Sequence, residues 1–193
     1  MAKIGLMGGS FDPVHNGHLV AAKDAVEQHE LDRLIILPAD HSPSKSHDGV
    51  TAAHHRIAML RIAIEGEPQM EISDFEIAQG GASYTIGTVR HFRVQFPTDE
   101  LFWVMGSDKV PSLDRWRSIK ELGQLMEFIS IERPGAVSPP QPATQGLKLH
   151  RCVGNAPDIS STEVRDLLKQ GHSVADLLPP QITAYIGQSK LYQ

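Results

Sequence analysis

Apolar residues follow two rhythms along this chain, and the rhythms alternate. Ile4 to Met7, Leu34 to Leu37 (closed by Pro38), Leu101 to Met105 and Phe128 to Ile131 are short, nearly continuous apolar runs. Such runs suit strands covered on both faces, as in a parallel sheet. Between them the spacing turns helical. Leu19, Ala22 and Val26 share one face; Ile57, Leu60 and Ile64 do so within Thr51 to Glu65, with Thr51 placed to cap. Val164, Leu167 and Leu168 form another stripe, ended by Gly171, and Pro179-Pro180 opens a last helix that packs through Ile182, Tyr185 and Ile186. Met70 to Ile77 alternates imperfectly and reads as an edge strand; Leu147 to Val153 reads as the last strand. Gly80 to Thr85 is a turn into a helix, capped by Ser83 or Thr85. The pattern predicts a doubly wound α/β fold with a mostly parallel sheet. Its ligand site should lie at the carboxyl edge, where the first and fourth strands, ending at Met7 and Met105, diverge.

Length and charge narrow the picture. At 193 residues the chain fits one domain. A net charge of −5 argues against a protein that coats nucleic acid. One cysteine excludes an internal disulfide framework and fits a reducing cytosol. The first apolar run is too short for a signal peptide or a membrane span, so a cytoplasmic protein is expected. Segments 39–50 and 134–146, rich in Pro, Ser and Gly, read as surface loops.

The candidate chemistry concentrates in two helix starts. The first is Gly8-Gly9-Ser10-Phe11-Asp12-Pro13-Val14-His15-Asn16-Gly17-His18. The glycines let backbone turn sharply and approach a ligand, and Asp12-Pro13 marks a turn. His15 and His18 share a face once the chain turns helical. Two imidazoles beside free N–H groups at a helix N-terminus suit a polyphosphate. Neither a P-loop nor Gly-x-Gly-x-x-Gly is present, and no further ligands at a recognisable spacing join His15 and His18 to a metal site. The second helix start is Ile159-Ser160-Ser161-Thr162-Glu163-Val164-Arg165. Ser160 and Glu163 fit a capping box, Ile159 and Val164 a hydrophobic staple. Arg165 alone escapes these rules: a cation in the first turns opposes the helix dipole by a few tenths to ~1 kcal/mol, a cost that a bound anion removes. An Arg165 swung into solvent is the competing reading. Asp108 follows Gly106 at the carboxyl end of a strand, where a carboxylate accepts from ribose hydroxyls or caps the next turn. His54 and His55 read as solvated.

The run from Gly9 to His18 resembles the nucleotidylyltransferase signature. Over nearly its whole length the chain is similar to the bacterial nicotinate mononucleotide adenylyltransferases. The matching residues are Ser83-Tyr84-Thr85, Gly106-Ser107-Asp108, Trp116 and Ile159 to Arg165. The resemblance implies one nucleotidylyltransferase domain over 1–193, with a helical portion from about 155 to 193 carrying the second phosphate-binding motif. It implies ATP and nicotinate mononucleotide as partners, Mg²⁺ arriving with ATP, no nucleic acid, no membrane, and compatibility with a homo-oligomer. His18 would meet the α-phosphate and His15 the phosphates beside it. Backbone at Gly8, Gly9, Ser10, Phe11 and Asp12 would hold ATP, with Gly106, Asp108, Ile159, Ser160 and a second-tier Arg133. Ser161, Thr162, Arg165 and Lys45 would hold the β- and γ-phosphates. Ser83, Tyr84, Thr85 and Trp116 would flank the pyridine ring, and backbone N–H groups near Trp116 and Arg117 would bind its carboxylate. Two positions depart from the family: Ser44 replaces a histidine, and Leu167 replaces a second arginine. Transfer to nicotinamide mononucleotide or phosphopantetheine, or a non-catalytic nucleotide sensor, are the competing functions.

Overall fold

The computed structural model describes residues 1–41, 49–132 and 146–193. Six strands form one sheet: β1 (Lys3–Gly9), β2 (Arg33–Pro38), β3 (Met70–Ile72), β4 (Glu100–Gly106), β5 (Glu127–Glu132) and β6 (Leu149–Val153). Their order is β3-β2-β1-β4-β5-β6, and every pairing is parallel. The direction of winding reverses between β1 and β4, as expected, and this places a crevice above the carboxyl ends of both.

Among the described residues, seven helices accompany the sheet: α1 (Asn16–His29), α2 (Ala53–Ala63), α3 (Phe75–Gln79), α4 (Thr85–Gln95), α5 (Ile119–Leu125), α6 (Ser161–Lys169) and α7 (Pro180–Gln188). A 3-10 stretch, Ser107–Arg115, follows β4. The central strands β2 and β4 feed two cores by alternation. Leu34 and Ile36 of β2 and Phe102 and Val104 of β4 face one core with α1, α2, α6 and α7. Ile35, Leu37, Leu101, Trp103 and Met105 face the other, with α4 and α5. Burial on both faces is why these strands read as unbroken apolar runs.

Several local expectations give way. Met70 to Ile77 is a strand only to Ile72; beyond Ser73-Asp74 the chain turns into α3, where Phe75 stacks on His91 at 3.8 Å. Helix α2 starts at Ala53 without a cap from Thr51, and its buried face is Arg56, Met59 and Leu60, rotated from the expected stripe. Ser83 and Thr85 do not cap α4; Tyr84 occupies that position, with no side-chain bond. His55 is half-buried, its Nδ1 2.8 Å from the Tyr185 hydroxyl, and only His54 is exposed as expected.

At the outer edge, α1 reaches over β6. The Gln28 amide donates to the Val153 carbonyl at 2.8 Å and accepts from its N–H at 2.9 Å. Asp24, also on α1, accepts from the N–H of Asn155 at 2.8 Å.

Candidate active site

Strand β1 delivers the first helix start to the crevice. Gly8 and Gly9 serve packing as well as access. A Cβ on Gly8 would come within 2.8 Å of the Trp103 ring, and one on Gly9 within 2.9 Å of Phe11. The sharp turn expected of the glycines falls instead on Phe11, whose φ is 48°. That left-handed backbone costs about 1–2 kcal/mol for a residue with a side chain. Burial of the ring, 2 % exposed, offsets it by a similar amount.

The chain then enters α1 with His15 at the cap. The His15 and His18 rings stack at 3.7 Å, and Phe11 meets His18 edge-on at 5.0 Å. The His15 N–H donates to His18 Nδ1 at 3.3 Å. With Nδ1 accepting, the neutral His18 ring carries its proton on Nε2, which is therefore its donor.

Helix α6 brings the second start to the same place. Ser160 caps it, accepting from the Glu163 N–H at 3.1 Å, and Val164 is fully buried beneath. Past its end, Gly171 at φ 70° donates its N–H to the Leu168 carbonyl and His172 donates to Leu167, a closing pair that uses the expected glycine. The Ser161 hydroxyl donates to the Pro13 carbonyl at 3.0 Å. Arg165 does not swing into solvent: its Nη1 donates to the Asp12 carbonyl at 2.7 Å and its Nη2 to the Thr162 hydroxyl at 3.3 Å. The two helix starts, some 150 residues apart in sequence, are thus bolted together. Leu167 is partly buried against the core cluster, so this position serves packing.

Between them opens a cavity of about 640 Å³. Gly8 to Asp12, His15 and His18 form one wall; Ile159 to Thr162 and Arg165 form another; Gly106, the last residue of β4, and Asp108, in the 3-10 stretch after it, close the cavity. Asp108 does not cap the 3-10 stretch, where Gly106 holds that position.

The pyridine-side candidates gather separately and are absent from this cavity wall. The Arg117 guanidinium lies 4.9 Å from the centre of the Tyr84 ring. Trp116 is half-buried and edge-on to Trp103 and to Phe128, at 6.4 Å in each case. Trp103 in turn covers Gly8, so an aromatic path joins the two clusters. Ser83 accepts from the Asp40 N–H at 3.1 Å and ties this cluster to the end of β2. Lys45, with its neighbour Ser44, and Arg133 lie outside the described residues.

Two residues that sequence reasoning passed over hold the first motif. Arg56 is 2 % exposed. Its guanidinium donates to the carbonyls of Ser10 and Ala39, both at 2.8 Å, and of Thr51 at 3.0 Å. Burial lowers its pKa from the ordinary value, and the Asp12 and Asp40 carboxylates work against that. The available signal was an arginine sharing a helical face with Met59 and Leu60. Tyr192 donates to Asp12 Oδ1 at 2.6 Å, while Oδ2 accepts from the Thr51 N–H at 3.2 Å. Burial, then the bond to Asp12, push the phenol's pKa above its ordinary value, so it remains a donor. Nothing local in the sequence marks Tyr192.

Among the described residues no three His, Cys, Asp or Glu side chains are grouped to hold a metal ion, and no helix is long and apolar enough to cross a membrane.

Comparison with known proteins gives a consistent result. The cytidylyltransferase-like family model matches residues 6–167. A protein of Opitutus terrae named "Probable nicotinate-nucleotide adenylyltransferase" is 50% identical over 191 residues, covering 99% of this chain and 98% of its own. The Bacillus subtilis protein named "Nicotinate-nucleotide adenylyltransferase" is 34% identical over 196 residues, covering 100% of both chains. Among solved structures, the Plasmodium falciparum nicotinic acid mononucleotide adenylyltransferase complexed with NaAD superposes with a TM-score of 0.81. It does so at 21% identity, covering 100% of this chain and 98% of that one, a likeness of fold.

Proposed function

Because the chain belongs to the nicotinate-nucleotide adenylyltransferases, within the cytidylyltransferase-like family, we propose that it joins nicotinate mononucleotide to the AMP part of ATP, giving deamido-NAD and pyrophosphate. The attacking group is the substrate's own phosphate, ionised at neutral pH, so no protein nucleophile or general base is required. The protein supplies alignment and charge neutralisation. His18 donates from Nε2 to the α-phosphate as charge builds in the transition state, and His15 supports it from the phosphates beside. Ser161, Thr162 and Arg165 hold the β- and γ-phosphates, with Lys45 assisting, and Asp108 accepts from ribose hydroxyls. Ser83, Tyr84, Thr85, Trp116 and Arg117 take the pyridine ring and its carboxylate.

The observation that carries this reading is the joining of two remote helix N-termini over one cavity, through Arg165 to the Asp12 carbonyl and Ser161 to the Pro13 carbonyl. Nucleotidyl transfer generally uses a divalent metal with ATP. We assign Mg²⁺, which takes most of its ligands from phosphate oxygens and water and needs no dedicated protein cage. Bound with ATP, it supplies charge neutralisation at the phosphates. We read 1–193 as one such domain, with 155–193 contributing the second phosphate-binding element, working in the cytoplasm without nucleic acid or membrane.

The test is pyrophosphate release with ATP, Mg²⁺ and nicotinate mononucleotide, wild type against a folded His18→Ala variant. Donors of this kind contribute ~10²-fold or more to rate. A variant retaining more than ~a tenth of the wild-type rate removes the role of His18. Equal turnover of nicotinamide mononucleotide removes the acid preference, and ATP binding with no product from any acceptor points to a sensor.

A further inference from the structure

The turn that carries Tyr84 is held by a carboxylate that plays no part in the chemistry above. Glu76, on α3, is 5 % exposed, and Thr88, on α4, is 2 % exposed. The Thr88 hydroxyl donates to Glu76 Oε1 at 2.6 Å. The Ser83 hydroxyl favours the ionised form of Glu76, and the Ser83 oxygen accepts from the Asp40 N–H at 3.1 Å. A buried carboxylate therefore grips α4 through Thr88, while Ser83, just before the same helix, is tied to the end of β2. The same segment is stitched again nearby. The Gly81 N–H donates to Asp40 Oδ2 at 2.8 Å, the Ser83 N–H donates to the His41 carbonyl at 2.9 Å, and His41 pairs with Ala82 as an isolated parallel bridge.

A carboxylate suits this spot because it accepts from the buried Thr88 hydroxyl. Burial disfavours its ionised form and raises its pKa; the hydroxyls of Thr88 and Ser83 oppose that shift. A carboxyl group buried this deeply is costly to keep for packing alone. The residues it fixes, Ser83 to Thr85, are the pyridine-side candidates, whereas the phosphate-side candidates stand on α1 and α6.

We propose that Glu76 is a positioning residue for the acceptor: through Ser83 and Thr88 it sets the Tyr84 turn against the end of β2, and so governs affinity for the pyridine nucleotide independently of ATP. This rests on the acceptor role given above to Ser83, Tyr84 and Thr85.

The experiment is steady-state kinetics with each substrate varied in turn, on wild type, Glu76→Gln, Thr88→Val, Ser83→Ala and the Glu76→Gln/Ser83→Ala double variant, with folding followed by thermal melting. Loss of a hydrogen bond to a charged group predicts that Glu76→Gln raises KM for nicotinate mononucleotide about tenfold or more. KM for ATP should move less than about twofold, since the ATP groups stand elsewhere. Thr88→Val, nearly isosteric, should shift acceptor KM the same way and serves as the reading if Glu76→Gln melts early. In the Ser83→Ala background Glu76→Gln should add little further, because the two act as one unit. Equal changes in both KM values, or full additivity in the double variant, overturns the inference while leaving the proposed function standing. A wild-type protein inert toward nicotinate mononucleotide overturns the function itself, a distinct result.

Discussion

Tyr192→Phe deletes a single oxygen and tests the clasp between the carboxyl-terminal segment and the first motif. The lost bond runs from the phenol to Asp12 Oδ1 at 2.6 Å, and Asp12 is 4 % exposed. Hydrogen bonds to charged groups contribute about 1.5–3 kcal/mol, and a carboxylate oxygen left without its donor also carries a desolvation cost. Tyr192 is half-buried, so water can reach part of the vacated space. We therefore take about 2 kcal/mol, near the lower half of that range. For a chain of this size the corresponding fall in Tm is about 4–8 °C. Activity should fall too, because Asp12 is also the residue whose carbonyl receives Arg165. The assay is thermal and urea unfolding of wild type and variant, repeated in an Asp12→Asn background, where the same change should cost much less. A Tm within about 1 °C of wild type would show that the clasp contributes nothing and that Arg165 is placed by other contacts.

Two further outcomes follow from the geometry. Ser160→Ala removes the N-cap of α6 and should cost about 1 kcal/mol, read as a Tm lower by about 2–4 °C; an unchanged Tm means that the Glu163 N–H finds water at no penalty. His29 has its pKa lowered, chiefly by burial and then by the neighbouring charges of His150 and Lys3. The folded state thus prefers the neutral ring. Its contribution is present above the ordinary value of 6.5 and is lost as pH falls through 6.5 toward the lowered value. His29→Gln should flatten the fall in Tm on acidifying below that point, and an identical slope in the two proteins counts against the assignment.

What the sequence made legible was whatever is decided locally or by burial on both faces. Leu34 to Leu37 and Leu101 to Met105 can only be strands sandwiched between helices, and their carboxyl ends located the crevice. Ser160, Val164 and Gly171 obey short-range capping rules, so α6 was readable from end to end. Arg165 was readable as an anomaly, and its partner turned out to be backbone of the first motif. Hydroxyls misled where a distant partner outbid the local one. Thr51 leaves α2 uncapped and gives its N–H to Asp12, while Ser83 accepts from the Asp40 N–H instead of capping α4. Phe75 and Ile77 alternate like a strand, yet Asp74 turns the chain and they fall in α3. Glu76 and Tyr192 were invisible, and Arg56 left only the trace of a charge on an apolar helical face, for one reason: each is a buried polar group whose purpose lies in a partner that only the fold brings near.

The sheet's outer flank has a consequence for how copies of this chain can meet. A bare parallel edge offers rows of unpaired amide groups that recruit strands from other molecules and seed aggregation. At Val153 both backbone groups are already taken by the amide of Gln28, which mimics a seventh strand one residue long, and Asp24 continues the guard at Asn155. Growth of the sheet by edge-to-edge addition is thereby blocked at that end of β6. Any assembly of this protein with itself would have to displace that helix or use a surface other than this one.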